Sequence, residues 1–261
     1  MSNNRLTTAL KSCEQNGEKA FIPYIMAGDG ELSSLKEQLL FFEQQGATAV
    51  ELGIPFSDPV ADGPVIQRAG IRALNNGTTL KKILEELVNI REDVSIPLIF
   101  MGYSNSILAY GIGQFVTDCV KAGIAGCIIP DVPVEEEGLF APIQEAGIHL
   151  IRLVTLTSSK ERITEIAETA QGFIYAVTVK GITGAREAFG SEVGAYLEQV
   201  KEISPVPVLA GFGISTPEHV RSATKYCDGV IVGSKIIESL EQNCKQDIIE
   251  LIQASKKQVQ Q

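Results

Sequence analysis

Three acidic residues in one short stretch, ATAVELGIPFSDPVADGP, have the types and spacing that proton-transfer chemistry requires. Glu51 ends an apolar run, and Asp58 and Asp62 follow in a segment that contains two prolines. A proline fixes its own φ and restricts the residue before it, so this segment has few conformations to lose. Taken alone, Asp62 in its Asp-Gly pair also fits an ordinary turn, and Asp58 fits a residue that shapes the loop.

Two glycine-containing segments near the end of the chain predict a phosphate site. AGFGIS (210–215) and VGSKII (232–237) each follow an apolar run, and the second opens a helical pattern at Ser234. Glycine lets backbone N–H groups approach an anion closely, and a helix N-terminus carries partial positive charge. No G-x-x-x-x-G-K-[ST] and no complete G-x-G-x-x-G motif is present, so a site for a nucleoside triphosphate or a dinucleotide is not expected.

A third segment, VKGITGAREAFG (179–190), has the composition of a hinged lid. Its three glycines permit hinge motion, and closure over a ligand would exclude water. A surface loop without such a role is the alternative interpretation. Lys180 could instead form a Schiff base with a carbonyl substrate, although its place among loop glycines does not favour the lowered pKa that this chemistry needs.

Apolar runs that alternate with amphipathic segments must position these groups. Such alternation is typical of parallel strands covered by helices. The predicted strands are 20–26, 47–52, 97–101, 125–129, 149–154, 173–178, 206–210 and 228–232. The predicted helices are 2–15, 33–45, 79–92, 112–122, 135–146, 159–170, 191–203, 216–225 and 234–256. Eight such units predict an α/β protein with a (β/α)8 TIM-barrel fold, an extra N-terminal helix and a single domain over residues 1–261.

The barrel fold places chemistry at the carboxyl ends of the strands and in the loops that follow them. Two of these loops are predicted to be long, at 53–78 after the second strand and at 179–190 after the sixth. Loops of this length in a compact domain are usually functional. The three acids and the lid segment therefore fall on the reactive end of the predicted barrel.

The alternation of side chains along the second strand predicts which face of the sheet the Glu51 side chain lies on. Glu51 shares a face with Ala47 and Ala49. Val50 and Leu52 are on the opposite face, where large aliphatic side chains pack on the outer helices. Glu51 should then face inward at the barrel mouth, where apolar walls raise the pKa of a carboxyl group toward neutrality and suit it to proton transfer. A carboxylate that simply points into water is the alternative interpretation.

The composition restricts the possible partners. A formal net charge of −10 over 261 residues argues against nucleic acid or an anionic membrane surface. The N-terminal segment is polar and no apolar run reaches the length of a membrane span, so we expect a cytoplasmic protein. Five scattered cysteines without a C-x-x-C spacing predict reduced thiols and no metal site.

Five motifs together resemble one known family. ELGIPFSDPVADGP, IPDVPVEE, KGITGA, GFGIS and GSKII, in this order and spacing, closely resemble the tryptophan synthase alpha subunit family, and the resemblance covers essentially the whole chain. It implies a lyase that cleaves indole-3-glycerol phosphate to indole and glyceraldehyde 3-phosphate by a retro-aldol reaction, in the biosynthesis of tryptophan. It also implies no cofactor in this chain and a pyridoxal-phosphate-dependent beta subunit as partner, in an allosteric α2β2 heterotetramer that channels indole.

The resemblance also implies residue roles. Glu51 and Asp62 match the catalytic pair of the family, and Thr183 matches the lid residue that contacts Asp62 on closure. Tyr24 stands where some members carry a phenylalanine beside the indole. The positions matched to substrate or phosphate binding are Gly184, Gly213, Gly233, Ser234, Thr183, Tyr175, Tyr103, Tyr24 and Phe212.

Cleavage of a carbon–carbon bond needs an electron sink, and indole can supply one when it is protonated at C3. We hypothesise that Glu51 transfers protons to C3 and from the glyceryl hydroxyl, while Asp62 accepts a hydrogen bond from the indole N–H. Three alternatives stay open at this stage. They are a stand-alone lyase that releases free indole, a Schiff-base aldolase that uses Lys180, and a non-catalytic regulatory subunit.

Overall fold

Eight parallel strands form a closed barrel in the computed structural model, which describes residues 4–178 and 191–256. The strands are Ala20–Met26 (β1), Val50–Gly53 (β2), Leu98–Met101 (β3), Ile124–Ile128 (β4), His149–Thr155 (β5), Ile174–Val177 (β6), Val208–Gly211 (β7) and Gly229–Val232 (β8). Each strand pairs with the next along the chain, and β8 pairs with β1. The predicted (β/α)8 barrel is therefore confirmed, whereas the single domain over residues 1–261 stays a prediction.

Helices cover the outside of the barrel. The α-helices of the described residues are Arg5–Gln15 (α1), Leu35–Gln44 (α2), Pro64–Asn75 (α3), Leu80–Ile90 (α4), Ser104–Tyr110 (α5), Ile112–Ala122 (α6), Ala141–Glu145 (α7), Lys160–Glu168 (α8), Ser191–Ile203 (α9), Pro217–Ala223 (α10), Ser234–Glu241 (α11) and Lys245–Ala254 (α12). Short 3-10 helices occur at Leu32–Ser34 and Val134–Phe140. In the described parts of the chain, no helix has both the length and the apolar character that crossing a membrane requires.

Both faces of the strands are buried, which explains their continuous apolar sequences. In β1, Ile22 and Tyr24 belong to the interior cluster, in which inward-facing residues of the strands pack together inside the barrel. Phe21 and Ile25, which alternate with them, belong to the helix-facing layer, the part of the core that lies between the sheet and the helices. One long apolar segment therefore contributes to two separate clusters of the core.

Helix α1 closes the amino-terminal end of the barrel. Leu6 and Leu10 on its buried face join the interior cluster. The side-chain amide of Asn4 donates hydrogen bonds to the carbonyl oxygens of Ala125 and Gly147, at 2.9 and 2.8 Å. The extra N-terminal helix is thus confirmed, and it covers the end of the barrel opposite to the carboxyl ends of the strands.

The prediction of a long loop over 53–78 is wrong, because residues 64–75 of that stretch form helix α3. The buried face of α3 consists of small residues, Ala69, Gly70 and Ala73, and two of its larger aliphatic residues, Ile71 and Leu74, are exposed. The periodicity of large apolar residues that reveals a helix is therefore missing. A proline at the first helical position, with its φ already suited to a helix, was the available signal.

Two other predicted helices differ from the observed ones. The segment 234–256 divides into α11 and α12, because Asn243 adopts a left-handed conformation with φ of 59° and ends the first helix. The segment 135–146 begins as a 3-10 helix and becomes α-helical only at Ala141. Helix α5 was not predicted, and the predicted loop 179–190 lies outside the described residues.

Candidate active site

Glu51 lies on β2 with its side chain in the barrel interior, as predicted. Its neighbours on the adjoining strands are Tyr24 and Ile99, both members of the interior cluster. Only 3% of the residue is exposed, and its Oε2 atom has no hydrogen-bond partner among the described residues. Burial, with a smaller contribution from the charge of Asp62, raises the pKa of Glu51 to about 8.

The alternation along this strand agrees with the prediction at all but one position. Ala49 belongs to the interior cluster, and Val50 and Leu52 belong to the helix-facing layer. Ala47 precedes the strand, which begins at Val50, and it packs against the helix-facing layer instead. The prediction for Ala47 is therefore wrong, because alternation applies only within a strand.

Asp62 lies at the entrance to α3 and is held there by several contacts. Its backbone carbonyl accepts a hydrogen bond from the Gln67 side chain at 2.8 Å. The Tyr103 hydroxyl oxygen accepts the backbone N–H of Ala61 at 3.0 Å, and the Tyr103 ring stacks on Phe56 with ring centres 5.2 Å apart. These contacts hold Asp62, of which only 6% is exposed, in the same cavity as Glu51.

The environment of Asp62 raises its pKa to about 6, because burial outweighs the hydrogen bond from Tyr103 that acts in the opposite direction. Glu51 and Asp62 therefore titrate at different pH values in one cavity. Near pH 7 Asp62 is ionised and Glu51 still carries its proton. Asp58, by contrast, is exposed and contacts the Ser57 hydroxyl, and it does not line the cavity.

Two tyrosine rings fill the space above glycines at strand ends. A Cβ atom at Gly53 would collide with the hydroxyl oxygen of Tyr24, and one at Gly211 would collide with that of Tyr175. Both tyrosines are almost completely buried. Burial is the largest cause that raises the pKa of each phenol, so both hydroxyl groups stay protonated donors. The importance of Gly53 and Gly211 was not apparent from the sequence, where each simply ends an apolar run.

The predicted phosphate loops form the other side of the same cavity. Phe212 and Gly213 both have positive φ, 70° and 75°, and the Thr178 hydroxyl contacts the carbonyl oxygens of Gly211 and Phe212, each at 2.8 Å. The left-handed conformation is costly for Phe212, and it places the ring 5.9 Å from that of Tyr175. Ser234 begins α11, whose first N–H groups have no partner within the helix.

One cavity of about 300 Å³ brings most of the predicted site residues together. The predicted residues that line it are Tyr24, Glu51, Asp62, Tyr175, Phe212, Gly213, Gly233 and Ser234. Tyr103 does not line the cavity and acts on it through Asp62. Thr183, Gly184 and Lys180 lie outside the described residues. Lining residues that the sequence did not suggest include Val65, Ile66 and Glu238.

The described residues contain no group of three or more histidine, cysteine or acidic side chains that could hold a metal ion. The absence of a cofactor stays a prediction. A closed barrel with two buried carboxyl groups in a cavity at the carboxyl ends of its strands has the arrangement of a (β/α)8-barrel enzyme.

Comparison with known proteins identifies the family. Residues 10–261 match the profile of the tryptophan synthase alpha chain family, and the chain belongs to that family. The tryptophan synthase alpha chain of Bacillus cereus is 54% identical over 248 residues, which cover 95% of this chain and 96% of that relative. The relative from Bacillus anthracis is 53% identical with the same coverage.

Solved structures agree with this assignment. Tryptophan synthase subunit alpha from Legionella pneumophila superposes with a TM-score of 0.87 at 35% identity and covers 97% of this chain and 98% of its own. A chain of Mycobacterium tuberculosis tryptophan synthase superposes with a TM-score of 0.89 at 30% identity. This superposition covers 97% of the present chain and 99% of the M. tuberculosis chain. The protein is therefore a lyase of tryptophan biosynthesis, and its family implies a beta-subunit partner.

Proposed function

We propose that this chain cleaves indole-3-glycerol phosphate to indole and glyceraldehyde 3-phosphate, with Glu51 and Asp62 as its catalytic pair. The observation that carries the proposal is the difference between the two carboxyl groups. At neutral pH the cavity holds one proton donor, Glu51, and one anion, Asp62. Retro-aldol cleavage at an indole ring needs both, because C3 must be protonated and the ring nitrogen becomes positive.

The substrate would lie across the cavity with its phosphate at the glycine loops. Backbone N–H groups near Gly213 and Gly233, and the N-terminus of α11 at Ser234, suit a phosphate group. The indole ring would occupy the apolar part between the two acids and Tyr175, with its N–H donating to Asp62. Thr183 and Gly184, which lie outside the described residues, are proposed to close over this ligand.

The reaction needs one carboxyl group that first gives and then takes a proton. Glu51 transfers its proton to C3 of the indole, and the cation that results is stabilised by the Asp62 carboxylate. Glu51 then accepts the proton of the hydroxyl on the carbon bonded to C3. The bond between these carbons breaks, its electron pair returns to the ring, and the hydroxyl oxygen becomes the aldehyde oxygen. Glu51 is protonated again at the end, so no external acid or base is consumed.

We also propose the finer properties of the assembly. The partner is a pyridoxal-phosphate-dependent beta subunit in an α2β2 complex that receives indole by channelling, with allosteric communication through the loops at the barrel mouth. The chain itself uses no cofactor, since the protonated indole accepts the bonding electrons. Its five cysteines are all free, as thiols are in the reducing cytoplasm, and this supports a cytoplasmic location.

The test compares Glu51→Gln with Glu14→Gln, an exposed glutamate on α1 at the closed end of the barrel. We expect Glu51→Gln to abolish indole formation while a phosphate-bearing substrate analogue still binds, because glutamine keeps the shape but cannot transfer protons. Glu14→Gln should behave as wild type. Indole formation by Glu51→Gln near the wild-type rate would remove Glu51 from the mechanism.

Two further measurements address the alternatives. Rates with and without a beta subunit distinguish the complex, in which mixing stimulates cleavage strongly, from a stand-alone lyase, which is fully active alone. Borohydride reduction in the presence of substrate would trap a Schiff base at Lys180. We expect no covalent adduct, and an adduct would favour the aldolase mechanism instead.

A further inference from the structure

Six buried side-chain nitrogen or oxygen atoms lack a hydrogen-bond partner among the described residues, and two of these atoms belong to neighbouring residues of the cavity. They are the hydroxyl oxygen of Tyr24 and Oε2 of Glu51. A buried polar group without a partner costs about 1–3 kcal/mol, so such groups are rare unless a ligand satisfies them. Two of them at one cavity indicate a ligand group that can both accept and donate a hydrogen bond.

Strand pairing fixes the relative position of these two side chains. Tyr24 and Glu51 are direct partners in the β1–β2 register, and both side chains face the interior. The Tyr24 hydroxyl lies above Gly53, two residues beyond Glu51 on the same face of β2. Its oxygen is therefore close to both carboxyl groups, whose charges also help to raise the pKa of the phenol.

The other end of Tyr24 lies beside the phosphate loop. Its Cβ atom is 3.6 Å from the position that a Cβ atom at Gly233 would occupy. The tyrosine thus extends from the loop proposed to bind the phosphate to the acids proposed to act on the indole. The three-carbon chain that joins these two parts of the substrate must run along the same side of the cavity.

The only group of that chain next to the reacting bond is the hydroxyl on the carbon bonded to C3. A hydroxyl group is both a donor and an acceptor, which is what the two unpartnered atoms require. We propose that Tyr24 is a catalytic residue that donates a hydrogen bond to this hydroxyl oxygen while Glu51 accepts its proton. The inference rests on the proposed role of Glu51 and extends it.

The step balances without any change in the charge of Tyr24. The hydroxyl proton moves to the Glu51 carboxylate, and the C3–carbon bond breaks with its electrons returning to the ring. The oxygen gains a double bond to carbon, and Tyr24 keeps its proton throughout. Negative charge develops on this oxygen as its proton leaves, and a preorganised donor stabilises that charge more than it stabilises the neutral hydroxyl.

The test is Tyr24→Phe with Tyr196→Phe as the matched control. Tyr196 on α9 also has a buried hydroxyl without a partner among the described residues, but it belongs to the helix-facing layer and does not line the cavity. We expect Tyr24→Phe to lower kcat by about 10²- to 10³-fold, in line with the loss of one preorganised donor. Tyr196→Phe should leave kcat unchanged, and both variants should have a Tm at least as high as that of wild type.

Binding separates a role at the hydroxyl from a general effect on the pocket. In a Glu51→Gln background, where cleavage is blocked, Tyr24→Phe should weaken substrate binding several-fold. It should not change the binding of a substrate analogue that keeps the indole ring and the phosphate but has a propyl chain, without hydroxyl groups, in place of the glyceryl chain. Unchanged kcat in Tyr24→Phe, or equal loss of affinity for both ligands, would overturn the inference.

The outcomes also separate this inference from the proposed function. If Glu51→Gln by itself retains activity, the proposed role of Glu51 is wrong, and the role of Tyr24 fails with it. If Glu51→Gln is inactive but Tyr24→Phe has the wild-type kcat, only the inference about Tyr24 fails.

Discussion

Buried polar groups are hydrogen-bonded at the amino-terminal end of the barrel, whereas two of them lack a partner among the described residues at the carboxyl end. At the amino-terminal end, the Asn4 side-chain amide donates hydrogen bonds to the carbonyl oxygens of Ala125 and Gly147. These bonds attach α1 to the barrel. At the carboxyl end, Tyr24 and Glu51 each keep a buried oxygen that has no partner among the described residues. The first end gains stability from its polar groups, and the second holds two polar atoms that no described residue satisfies and that a ligand can.

This difference separates the parts of the molecule that maintain the fold from those that carry the reaction. Substitutions at the closed end should change the free energy of unfolding and leave the chemistry intact. Substitutions at the open end should change the chemistry and, where they remove an unsatisfied or desolvated group, increase stability. Four predictions follow this contrast from the largest expected effect to the smallest.

Asp62→Asn should lower kcat by about 10²–10⁴-fold, because asparagine cannot carry the negative charge that stabilises the protonated indole. Asp58→Asn in the same segment is the control, since that acid is exposed and lies outside the cavity. Rates of indole formation measured at saturating substrate test the prediction. Equal rates in the two variants would contradict an electrostatic role for Asp62.

Glu51→Gln should stabilise the protein at high pH. The pKa of Glu51 is about 8 in the folded protein against an ordinary value of 4.5, so the folded state holds a proton that the unfolded chain has lost between these pH values. Stability of the wild type therefore falls as pH rises through this window, by roughly 3–5 kcal/mol once pH exceeds 8. Glutamine cannot ionise and avoids this loss.

Denaturant unfolding of the wild type and Glu51→Gln at pH 5 and pH 9 measures the effect. The gain from the substitution should be small at pH 5 and close to its maximum at pH 9. A gain that does not depend on pH would mean that the pKa of Glu51 is not raised in the folded protein.

Leu6→Ala at the closed end should reduce the free energy of unfolding by about 2–5 kcal/mol, because a fully buried leucine leaves a cavity. The kcat at a temperature where the variant is folded should equal that of the wild type. Val120→Ala, at a site 54% exposed on α6, is the control and should change stability by less than about 0.5 kcal/mol. A large fall in kcat for Leu6→Ala would show that the two ends are coupled.

Asn4→Ala should cost about 1–2 kcal/mol of stability, since it removes the cap of α1 and two hydrogen bonds to the barrel. Asn89→Ala is the control. It makes the same substitution on the exposed side of α4 and should have little effect on stability. Thermal unfolding measures the difference. No loss of stability in Asn4→Ala would mean that water replaces its bonds without cost.

Several features of the site could be predicted from the sequence because they depend on local pattern. Apolar runs and their alternation with helices predict the eight strands, and alternation within one strand places Glu51 inside the barrel. Glycines before a helical pattern predict the loops that line the cavity at Gly213 and Gly233. Each of these inferences uses residues that are close together in the chain, where geometry follows from φ and ψ alone.

Other features depend on contacts between distant parts of the chain. Helix α3 was missed because small residues form its buried face, and its fit against Met26 appears only after folding. Asp62 looked like a turn residue, and burial beside Glu51 is what changes its pKa.

The sequence by itself determined the barrel and the strand that carries Glu51, through patterns that repeat every two residues or every helical turn. Only the tertiary structure decided which groups share the cavity, which of the two acids holds the proton at neutral pH, and that the Tyr24 hydroxyl has no partner among the described residues. The reason is physical, because burial and electrostatic interaction depend on distances across the barrel that no local pattern records.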